Sequence, residues 1–279
     1  MKQNLKYYLK DKLSKKELKL VPSSFDVVGD ILIFSDFPKE LVKKEKIIGN
    51  TILKNYHHIK TILKKTKKYS GRFRTPKLKV IAGEKKKETI CKENNVLIKL
   101  NVEKVYFSPR MSSERKRITE LIKQNESILV MFSGSVVYPL VIAKNSKCKE
   151  VYGIEINPIA HKYALENIKK NKLENKIKIF LGDARKILPK LNKKFERILM
   201  PLPKGGEDFL DLALNCIKNK GIIHFYDFEH EKEIYKAKEK VKSACTKSNK
   251  KFKILKVTKC GQYSPRFYRI CVDFEVYSY

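Results

Sequence analysis

From residue 127 onwards, short apolar segments alternate with helical segments, and this alternation constrains the fold more than any other feature of the sequence. Strands that alternate with helices at this spacing form a parallel sheet with helices on both faces, known as a doubly wound sheet. The predicted strands are Ser127–Met131, Val151–Ile154, Ile177–Leu181, Arg197–Met200 and Gly221–Phe228. The predicted helices between and after them are Val136–Ala143, Pro158–Lys170, Glu207–Ile217 and Glu231–Ser243.

Two further strand-like segments close the chain. Phe252–Val257 and Phe267–Val276 follow the last predicted helix with no helix between them. A closing strand pair distinguishes the sheet of a class I methyltransferase from that of a dinucleotide-dependent dehydrogenase. We therefore predict an α/β fold, namely a class I (Rossmann-like) S-adenosylmethionine-dependent methyltransferase sheet preceded by a small α+β domain.

The N-terminal third has a different pattern, and we divide the chain into three parts. Residues 1–23 are predicted to form a basic helical lead-in, with a helix over Asn4–Leu20 that has no core of its own. Residues 24–105 are predicted to form the small α+β domain, and residues 106–279 the methyltransferase domain. In the small domain, a helix is predicted from Asp36 to Gly49-Asn50. The predicted strands there are residues 27–28, 31–34, 61–65, 78–82, 88–92 and 96–102.

Ligands of such sheets bind at the carboxyl ends of the strands, and three of these ends carry suitable residues. The first end reads Phe132-Ser133-Gly134-Ser135, where small residues let the backbone approach a ligand, although a purely structural turn fits equally. Glu155 ends the second strand, where a carboxylate accepts both hydroxyls of a ribose or caps the next helix. Asp183 follows the third strand and suits an adenine amino group. Together these ends predict an S-adenosylmethionine site.

The charge of the chain indicates what kind of partner it has. Lys and Arg number 63 against 30 Asp and Glu, which gives a formal net charge of +33. Clustered runs such as Lys85–Lys87 favour a polyanionic partner, since neutralised phosphates release counterions, although a lysine-rich proteome accounts for part of the surplus. No apolar run approaches the ~20 residues of a membrane helix, and the N-terminus is not a secretory signal. We predict a cytoplasmic protein that binds nucleic acid, with no membrane association and no obligate protein partner.

The cysteines do not indicate a metal centre. The six of them, at positions 91, 148, 216, 245, 260 and 271, are scattered, with no Cys-x-x-Cys pair and no His at ligand spacing. Reduced structural thiols are the simplest interpretation, and we predict no metal site.

A series of short motifs runs in order through both halves of the chain. The first half has Phe25–Asp30, Gly71–Arg74, Ala82–Glu84 and Val105–Arg110, the last followed by Glu114-Arg115. The second half has Arg197–Lys204, Asp208–Leu210, Gly221–Tyr226 and Tyr263–Pro265. From about residue 20 to the end, the chain thereby resembles the archaeal tRNA (guanine-37) N1-methyltransferase family. The resemblance implies S-adenosylmethionine as cofactor and tRNA, at position 37 of the anticodon loop, as substrate.

The resemblance also implies roles for individual residues. Arg74 would stabilise negative charge at guanine O6, and Glu114 would remove the N1 proton that guanine carries at neutral pH. Tyr106 would lie against the target base or the methionine moiety of the cofactor. Two of these residues have an alternative role. Arg74 is also suited to binding a phosphate group of the RNA, and Glu114 is also suited to capping the N-terminus of a helix. The other implied cofactor contacts are Arg115, Phe132, Gly134, Glu155, Ile156, Asp183 and Ala184.

The sequence departs from the family pattern at three places. Nothing before residue 20 corresponds to the N-terminal module that grips the tRNA elbow in many members. Val130 and Val136 stand where Asp and Gly are usual, so the first loop is a poorer cofactor marker here. Pro201 stands where guanine-specific members have Asn, which resembles the archaeal subgroup that also methylates C7 of 4-demethylwyosine-37. We therefore place Pro201 in the catalytic site and predict this second activity, with a rigid turn beside Pro203 as the alternative.

Three other functions stay open. The enzyme could act on guanine-37 alone. The related aminocarboxypropyltransferase of wyosine synthesis uses the same cofactor, but its members lack the stretches that stand here as Ser108–Arg110 and Leu202-Pro203. A non-catalytic RNA-binding protein on a degenerate fold is suggested by Val130 and Val136, and the intact candidate residues argue against it.

Overall fold

A computed structural model describes residues 5–277 of the chain, apart from the side chains of residues 68–70. Two compact units make up the molecule. The first comprises the chain up to Lys92 together with Leu97–Pro109, and the second comprises Glu93–Val96 together with the chain from Arg110. The predicted domain boundaries stay a prediction, although the two units also divide the chain near residue 105.

A four-stranded sheet lies at the centre of the first unit. Its strands, in spatial order, are β1 (Asp26–Val28), β2 (Ile31–Phe34), β3 (Thr61–Ser70) and β4 (Thr75–Gly83). The β2–β3 pair is parallel, and the other two pairs are antiparallel. A separate hairpin pairs β5 (Glu88–Glu93) with β6 (Val96–Asn101). The helices are α1 (Leu5–Leu9), α2 (Lys15–Leu20), a 3-10 helix (Lys39–Lys44) and α3 (Glu45–Asn55).

The lead-in differs from the prediction of a single helix. Ser14 starts a second helix, because its hydroxyl accepts from the backbone N–H of Glu17 while the Glu17 carboxylate accepts from the backbone N–H of Ser14 at 2.7 Å. Leu5, Leu9 and Leu13 are buried in one cluster with apolar residues of β2 and α3. The lead-in therefore lies within the core of the first unit and is not an appendage to it.

Helix α3 also runs further than predicted, past Gly49-Asn50 to Asn55. Gly49 lies inside the helix, where it allows α3 to pack closely against β4. A Cβ built at Gly49 would lie 2.5 Å from the Cβ of Ala82 in β4. The missing side chain therefore lets α3 pack against the sheet.

The second unit contains a seven-stranded sheet. Counted along the chain, its strands are β7 (Ser127–Met131), β8 (Glu150–Glu155), β9 (Ile177–Leu181), β10 (Phe195–Met200), β11 (Ile217–His230), β12 (Lys251–Ser264) and β13 (Phe267–Tyr277). Their spatial order is β9-β8-β7-β10-β11-β13-β12. Neighbours from β9 to β11 are parallel, whereas β13 is antiparallel to both β11 and β12. This is the order of a class I methyltransferase sheet, so the predicted fold is confirmed.

Six helices accompany this sheet in the described part of the unit. They are α4 (Ser112–Glu120), α5 (Val137–Asn145), α6 (Pro158–Lys170), α7 (Ala184–Leu191), α8 (Leu210–Cys216) and α9 (Tyr235–Lys247). Helix α7 was not predicted, since Pro189 lies inside it. The predicted helix Glu207–Ile217 is a 3-10 helix (Glu207–Phe209) followed by α8, because Ile217 already pairs with Phe195 of β10.

The parallel strands bring four loops to one side of the sheet. Met131 pairs with Ile154, Glu155 pairs with Leu181, and Met200 pairs with Phe225, so the strands end at a common level. We call the loops that follow β7, β8, β9 and β10 the carboxyl edge. Within residues 5–277, no helix is both long and apolar enough to cross a membrane.

Candidate active site

The loop after β7 turns through left-handed backbone conformations. Phe132, Gly134 and Val136 have φ angles of 60°, 58° and 67°. A β-branched residue rarely adopts this conformation, which accounts for the Gly that is usual where Val136 stands. The backbone N–H of Ser133 donates to the carbonyl of Ile154 at 2.9 Å and fixes the loop to β8. The strain at Val136 is therefore maintained by the surrounding structure, as it commonly is at ligand sites.

Glu155 joins the first two loops of the carboxyl edge. One carboxylate oxygen accepts from the backbone N–H of Gly134 and the other from that of Asn157, both at 2.7 Å. Burial raises the pKa of Glu155, although these backbone hydrogen bonds oppose the shift. A carboxylate offers about four acceptor positions, and the backbone N–H groups of Gly134, Asn157 and Ile156 occupy part of them. The remaining capacity is compatible with a hydroxyl donor, and the predicted role of Glu155 towards a ribose stays a prediction.

The third loop is bonded to the second. The backbone N–H of Gly182, whose φ of 149° suits glycine, donates to the carbonyl of Glu155 at 2.9 Å. Asp183 caps α7, because its carboxylate accepts from the backbone N–H of Arg185 at 3.0 Å. Ala184 is buried directly behind it. Asp183 is thus held at the carboxyl edge by the bond with which it caps α7.

The fourth loop contains Pro201 and folds back tightly. The backbone N–H of Leu202 donates to the carbonyl of Met200 at 2.7 Å, so Pro201 lies at the apex of a three-residue turn. The ring of Phe209, just beyond this loop, packs edge-on against Phe132 with 4.9 Å between ring centroids. The guanidinium of Arg185 lies 3.8 Å from the centroid of the same Phe209 ring. These contacts join the first, third and fourth loops.

The carboxyl edge therefore brings together a large part of the predicted site. The residues suit S-adenosylmethionine, since they combine an anchored carboxylate, a second acidic side chain and a loop of small residues that contains Gly134. The buried Ser135 hydroxyl in the first loop also has no hydrogen-bond partner among the described residues. The predicted residues on this edge are Phe132, Gly134, Glu155, Ile156, Asp183, Ala184 and Pro201.

Glu114 lies elsewhere in the second unit, buried in the first turn of α4. Its Oε1 accepts from Arg117 Nη2 and from the Tyr226 hydroxyl, and its Oε2 accepts from Arg117 Nε, all at 2.7 Å. The carboxylate is therefore oriented by a bidentate ion pair with Arg117 and by Tyr226. No side-chain capping bond forms at the start of α4, so Glu114 does not act as a capping box here.

Arg117 connects Glu114 to a series of paired side chains on neighbouring strands of the sheet. It pairs with Asp273 at 2.6 Å, and Asp273 bonds His224 Nδ1 at 2.6 Å. His224 Nε2 then meets Arg197 at 2.8 Å, and Arg197 pairs with Glu126 at 2.7 and 2.9 Å. We call this series the charge ladder; its members are Glu114, Arg117, Asp273, His224, Arg197 and Glu126.

The ladder also fixes the protonation of His224. Arginine can only donate, so His224 Nε2 must accept and Nδ1 must carry the proton that Asp273 accepts. Burial lowers the pKa of His224, and the bond to Asp273 only partly opposes this effect. Burial would raise the pKa of Asp273, but His224 and Arg117 together hold it well below its usual value. The neutral imidazole of His224 therefore lies between the negative charge of Asp273 and the positive charge of Arg197.

Comparison with known proteins places this architecture in a family. A family model described as the TRM5/TYW2 methyltransferase domain matches residues 89–255, and one described as the TYW2 N-terminal domain matches residues 5–86. This chain belongs to the TRM5/TYW2 methyltransferase family. The second match begins inside the lead-in, in agreement with the burial of its leucines in the first unit.

Individual relatives cover most of the chain. The tRNA (guanine(37)-N(1))-methyltransferase Trm5b of Pyrococcus abyssi is 39% identical over 259 residues, which are 92% of this chain and 76% of that protein. The tRNA (guanine(37)-N(1))/4-demethylwyosine(37)-methyltransferase Taw22 of Nanoarchaeum equitans is 37% identical over 301 residues, covering 90% of this chain and 98% of that protein. The structure of aTrm5 in complex with tRNALeu matches with a TM-score of 0.86 at 32% identity, covering 99% of this chain and 78% of that chain.

Two of the residues implied by the TRM5/TYW2 resemblance belong to the first unit. Arg74 ends the turn between β3 and β4, with a φ of 49° and a bond from its backbone N–H to the carbonyl of Gly71 at 3.1 Å. Tyr106 follows β6, and its side chain is 37% exposed. Their roles at guanine O6 and at the target base stay predictions.

Arg115 has a partner that the sequence did not indicate. Its Nε and Nη2 donate to the two carboxylate oxygens of Glu93 at 2.5 and 2.6 Å, and both side chains are almost fully buried. Glu93 stands at the end of β5, so this pair ties the β5–β6 turn to α4. A role of Arg115 in lining the cofactor pocket stays a prediction.

The sequence analysis missed the charge ladder, although a signal was present. Arg197, His224 and Asp273 each lie in a strand directly beside a run of buried apolar residues. Charged residues are almost never fully buried unless they are paired. Three such residues in neighbouring strands therefore indicate a buried network, even when the partners cannot be named.

His224, Cys271 and Asp273 have ligand atoms within 4.8 Å of one another, which is compatible with a metal ion. Arg197 and Arg117 already bond to this group, at 2.8 and 2.6 Å. These two guanidinium groups already occupy the acceptor atoms and repel a metal cation. We therefore interpret this cluster as part of the ladder.

Proposed function

We propose that this enzyme transfers a methyl group from S-adenosylmethionine to N1 of guanosine at position 37 in the anticodon loop of tRNA. The observation that carries the proposal is the anchored carboxylate of Glu155 at the carboxyl edge, bonded to the backbone of Gly134 and Asn157. The names of the two relatives supply the substrate and the position. A cytoplasmic location without an obligate protein partner belongs to the same proposal.

The carboxyl edge would hold the cofactor. When bound, S-adenosylmethionine supplies an electrophilic methyl group. Glu155 would accept hydrogen bonds from the ribose hydroxyls, and Asp183 would accept one from the adenine amino group. The backbone of the loop at Phe132–Gly134 would approach the methionine moiety at Ser133 and Gly134, whose side chains are small.

Glu114 would accept the N1 proton, and its hydrogen-bond pattern supports Oε2 as the oxygen that does so. Oε1 already accepts from Arg117 and Tyr226, whereas Oε2 accepts from Arg117 alone. A carboxylate oxygen has two acceptor positions, so Oε2 has capacity for the proton. Arg74 would stabilise the negative charge that then forms at guanine O6.

The test is incubation of the enzyme with labelled S-adenosylmethionine and unmodified tRNA carrying G37, followed by nucleoside mass analysis. We expect 1-methylguanosine as the product, and none from the same tRNA with adenosine at position 37. Label at another nucleoside, or no label in the presence of bound cofactor, would contradict the proposal. The second outcome would favour a non-catalytic RNA-binding protein.

A second activity, methylation of C7 in 4-demethylwyosine-37, is supported by Pro201 and by the similarity to Taw22. Pro201 presents a compact ring and no backbone N–H at the apex of its turn, so it leaves room for a tricyclic base and imposes no donor on it. An Asn there would project an amide into the same space. Pro201 would therefore permit the larger substrate.

We expect Pro201→Asn to retain guanine methylation and to slow C7 methylation more than tenfold, which is about 1.4 kcal/mol in the barrier. Both rates would be followed by mass analysis on tRNA with G37 or with 4-demethylwyosine-37. Equal slowing of both reactions would mean that Pro201 is only a turn residue. Transfer of an aminocarboxypropyl group instead of methyl would identify the alternative enzyme of the wyosine pathway.

A further inference from the structure

Strand β11 carries two different clusters on one of its faces. Because side chains alternate along a strand, His224, Tyr226, Phe228 and His230 all point to the same side of the sheet. His224 belongs to the charge ladder, and Tyr226 donates to Glu114 at 2.7 Å. Phe228 and His230 continue this row past the ladder towards the carboxyl edge, and nothing in the proposed reaction uses them.

These two rings are joined by others from the β12–β13 hairpin. Phe228 packs against Tyr263 with 4.4 Å between ring centroids, and His230 packs edge-on against Phe267 at 5.2 Å. The guanidinium of Arg269, which is paired with Phe228 in the strand register, lies 5.1 Å from the Phe228 centroid. We call this group the aromatic platform; its members are Phe228, His230, Tyr263, Phe267 and Arg269.

The platform is open to solvent at its outer rings. The side chain of Tyr263 is 67% exposed and that of Phe267 is 42% exposed. Two large rings exposed near the tip of a hairpin gain little by burial there, so stability does not explain them. Tyr263 also belongs to the Tyr263–Pro265 motif, which has no role in the proposed chemistry.

Cationic side chains lie close to the platform, together with some acidic ones. The side chain of Arg266 is 72% exposed at the hairpin turn, and its Nε lies 3.9 Å from the Glu231 carboxylate. Lys259 is exposed on the adjoining edge strand β12, and its Nζ lies 4.4 Å from the centroid of the Tyr268 ring. Lysines alone can be explained by protection of a sheet edge, but protection does not require exposed aromatic rings. Rings combined with cations suit a planar, anionic partner, and unpaired nucleotides have both properties.

We propose that the aromatic platform stacks an unpaired nucleobase of the RNA substrate, next to the nucleotide that is methylated. Phe228 is two residues beyond Tyr226, which is about 7 Å along a strand. Tyr226 bonds to Glu114, so a base on Phe228 and Tyr263 lies about one nucleotide from the candidate base catalyst. The identification of that RNA as the anticodon loop rests on the proposed function.

The test uses the full chain and an anticodon stem-loop RNA with 2-aminopurine on either side of position 37, since stacking quenches its fluorescence. We expect Tyr263→Ala and Phe267→Ala to raise the Kd for this RNA roughly tenfold or more and to abolish the quenching. Tyr263→Phe keeps the ring and is expected to bind like the wild type. The matched control is Tyr235→Ala, which removes a 50% exposed tyrosine from α9 and should change the Kd less than twofold.

The platform would be ruled out if the wild-type enzyme quenched the probe at neither position. It would also be ruled out if Tyr263→Ala and Phe267→Ala bound the RNA with unchanged Kd, or if Tyr235→Ala lost as much affinity as they do. Calorimetric titration with S-adenosylmethionine shows that each variant is folded, and Phe267→Ala decides the question if Tyr263→Ala does not fold. Binding and quenching are measured without turnover. A wild-type enzyme that binds and quenches but leaves G37 unmethylated would therefore overturn the proposed function and not the platform.

Discussion

The carboxyl edge and the charge ladder both hold buried glutamates, but they hold them by different means. At the carboxyl edge, Glu155 accepts from the backbone N–H groups of Gly134 and Asn157, which carry no formal charge. In the ladder, Glu114 is paired with the guanidinium of Arg117 and bonded by Tyr226. The negative charge of Glu155 is therefore not compensated by a cation, whereas that of Glu114 is compensated by Arg117.

This difference separates a ligand site from a structural frame. An uncompensated carboxylate is costly to bury, and burial raises the pKa of Glu155, so its environment is suited to gaining donors from a ligand. The ladder has already paired its charges, and removing one member leaves its partners buried and uncompensated. Glu114 is the member of the ladder for which chemistry is proposed, which places a candidate catalytic group at one end of a rigid frame.

The largest effect is expected from breaking the frame. Arg197→Leu removes the partner of both Glu126 and His224 and should lower the free energy of unfolding by about 3–5 kcal/mol. The matched control is Arg185→Leu at the carboxyl edge, where the guanidinium is exposed and lies over Phe209, with a cost expected below about 1 kcal/mol. Urea unfolding followed by circular dichroism measures both. If both variants lost a similar amount of unfolding free energy, the charge ladder would not stabilise the fold more than the carboxyl edge does.

A smaller effect on stability, but a larger one on ligand binding, is expected at the carboxyl edge. Glu155→Ala should weaken S-adenosylmethionine at least tenfold, since charge-assisted hydrogen bonds contribute about 1.5–3 kcal/mol each. Glu150→Ala is the control, because Glu150 begins the same strand at the opposite edge and pairs with Lys193 at 2.7 Å. Calorimetric titration should show normal affinity for that variant. If Glu155→Ala binds the cofactor normally, the site lies elsewhere.

The smallest effect concerns the response of the ladder to pH. The pKa of His224 is lowered from 6.5, so below pH 6.5 the unfolded chain takes up a proton that the folded chain does not. Stability is therefore lost as the pH falls, by up to about 1.4 kcal/mol for the first unit of pH. His224→Gln cannot titrate and should lose less stability than the wild type between pH 6.5 and 5.5.

Nitrogen-15 spectra of the histidines provide a direct measurement of the same group. The His224 signals should show a ring that stays neutral, with its proton on Nδ1, below pH 6.5, and they can be assigned by their absence in His224→Gln. A ring that becomes charged near pH 6.5 would show that the ladder does not exclude the proton. At Glu155, where the pKa is raised, the sign is opposite and acidification favours the folded state.

The sequence predicted the sheet of the second unit well. β7, β9 and α6 have the predicted bounds, because each is a short apolar or amphipathic segment closed by clear turn signals. Glu155 and Asp183 could be found because the position of a strand end is itself a sequence signal. The predictions failed where tertiary contacts override local signals, as at Gly49 within α3 and Pro189 within α7.

By itself, the sequence determined the strand order, the carboxyl edge and the family, since these follow from local periodicity and short motifs. Only the tertiary structure decided that Glu114 is paired with Arg117 and Tyr226, that Arg115 is paired with Glu93, and that the leucines of the lead-in are buried. The partners in the charge ladder are up to 156 residues apart along the chain. Pairing at such separations depends on the order and register of strands that each form from local signals, so no single segment contains the information for it.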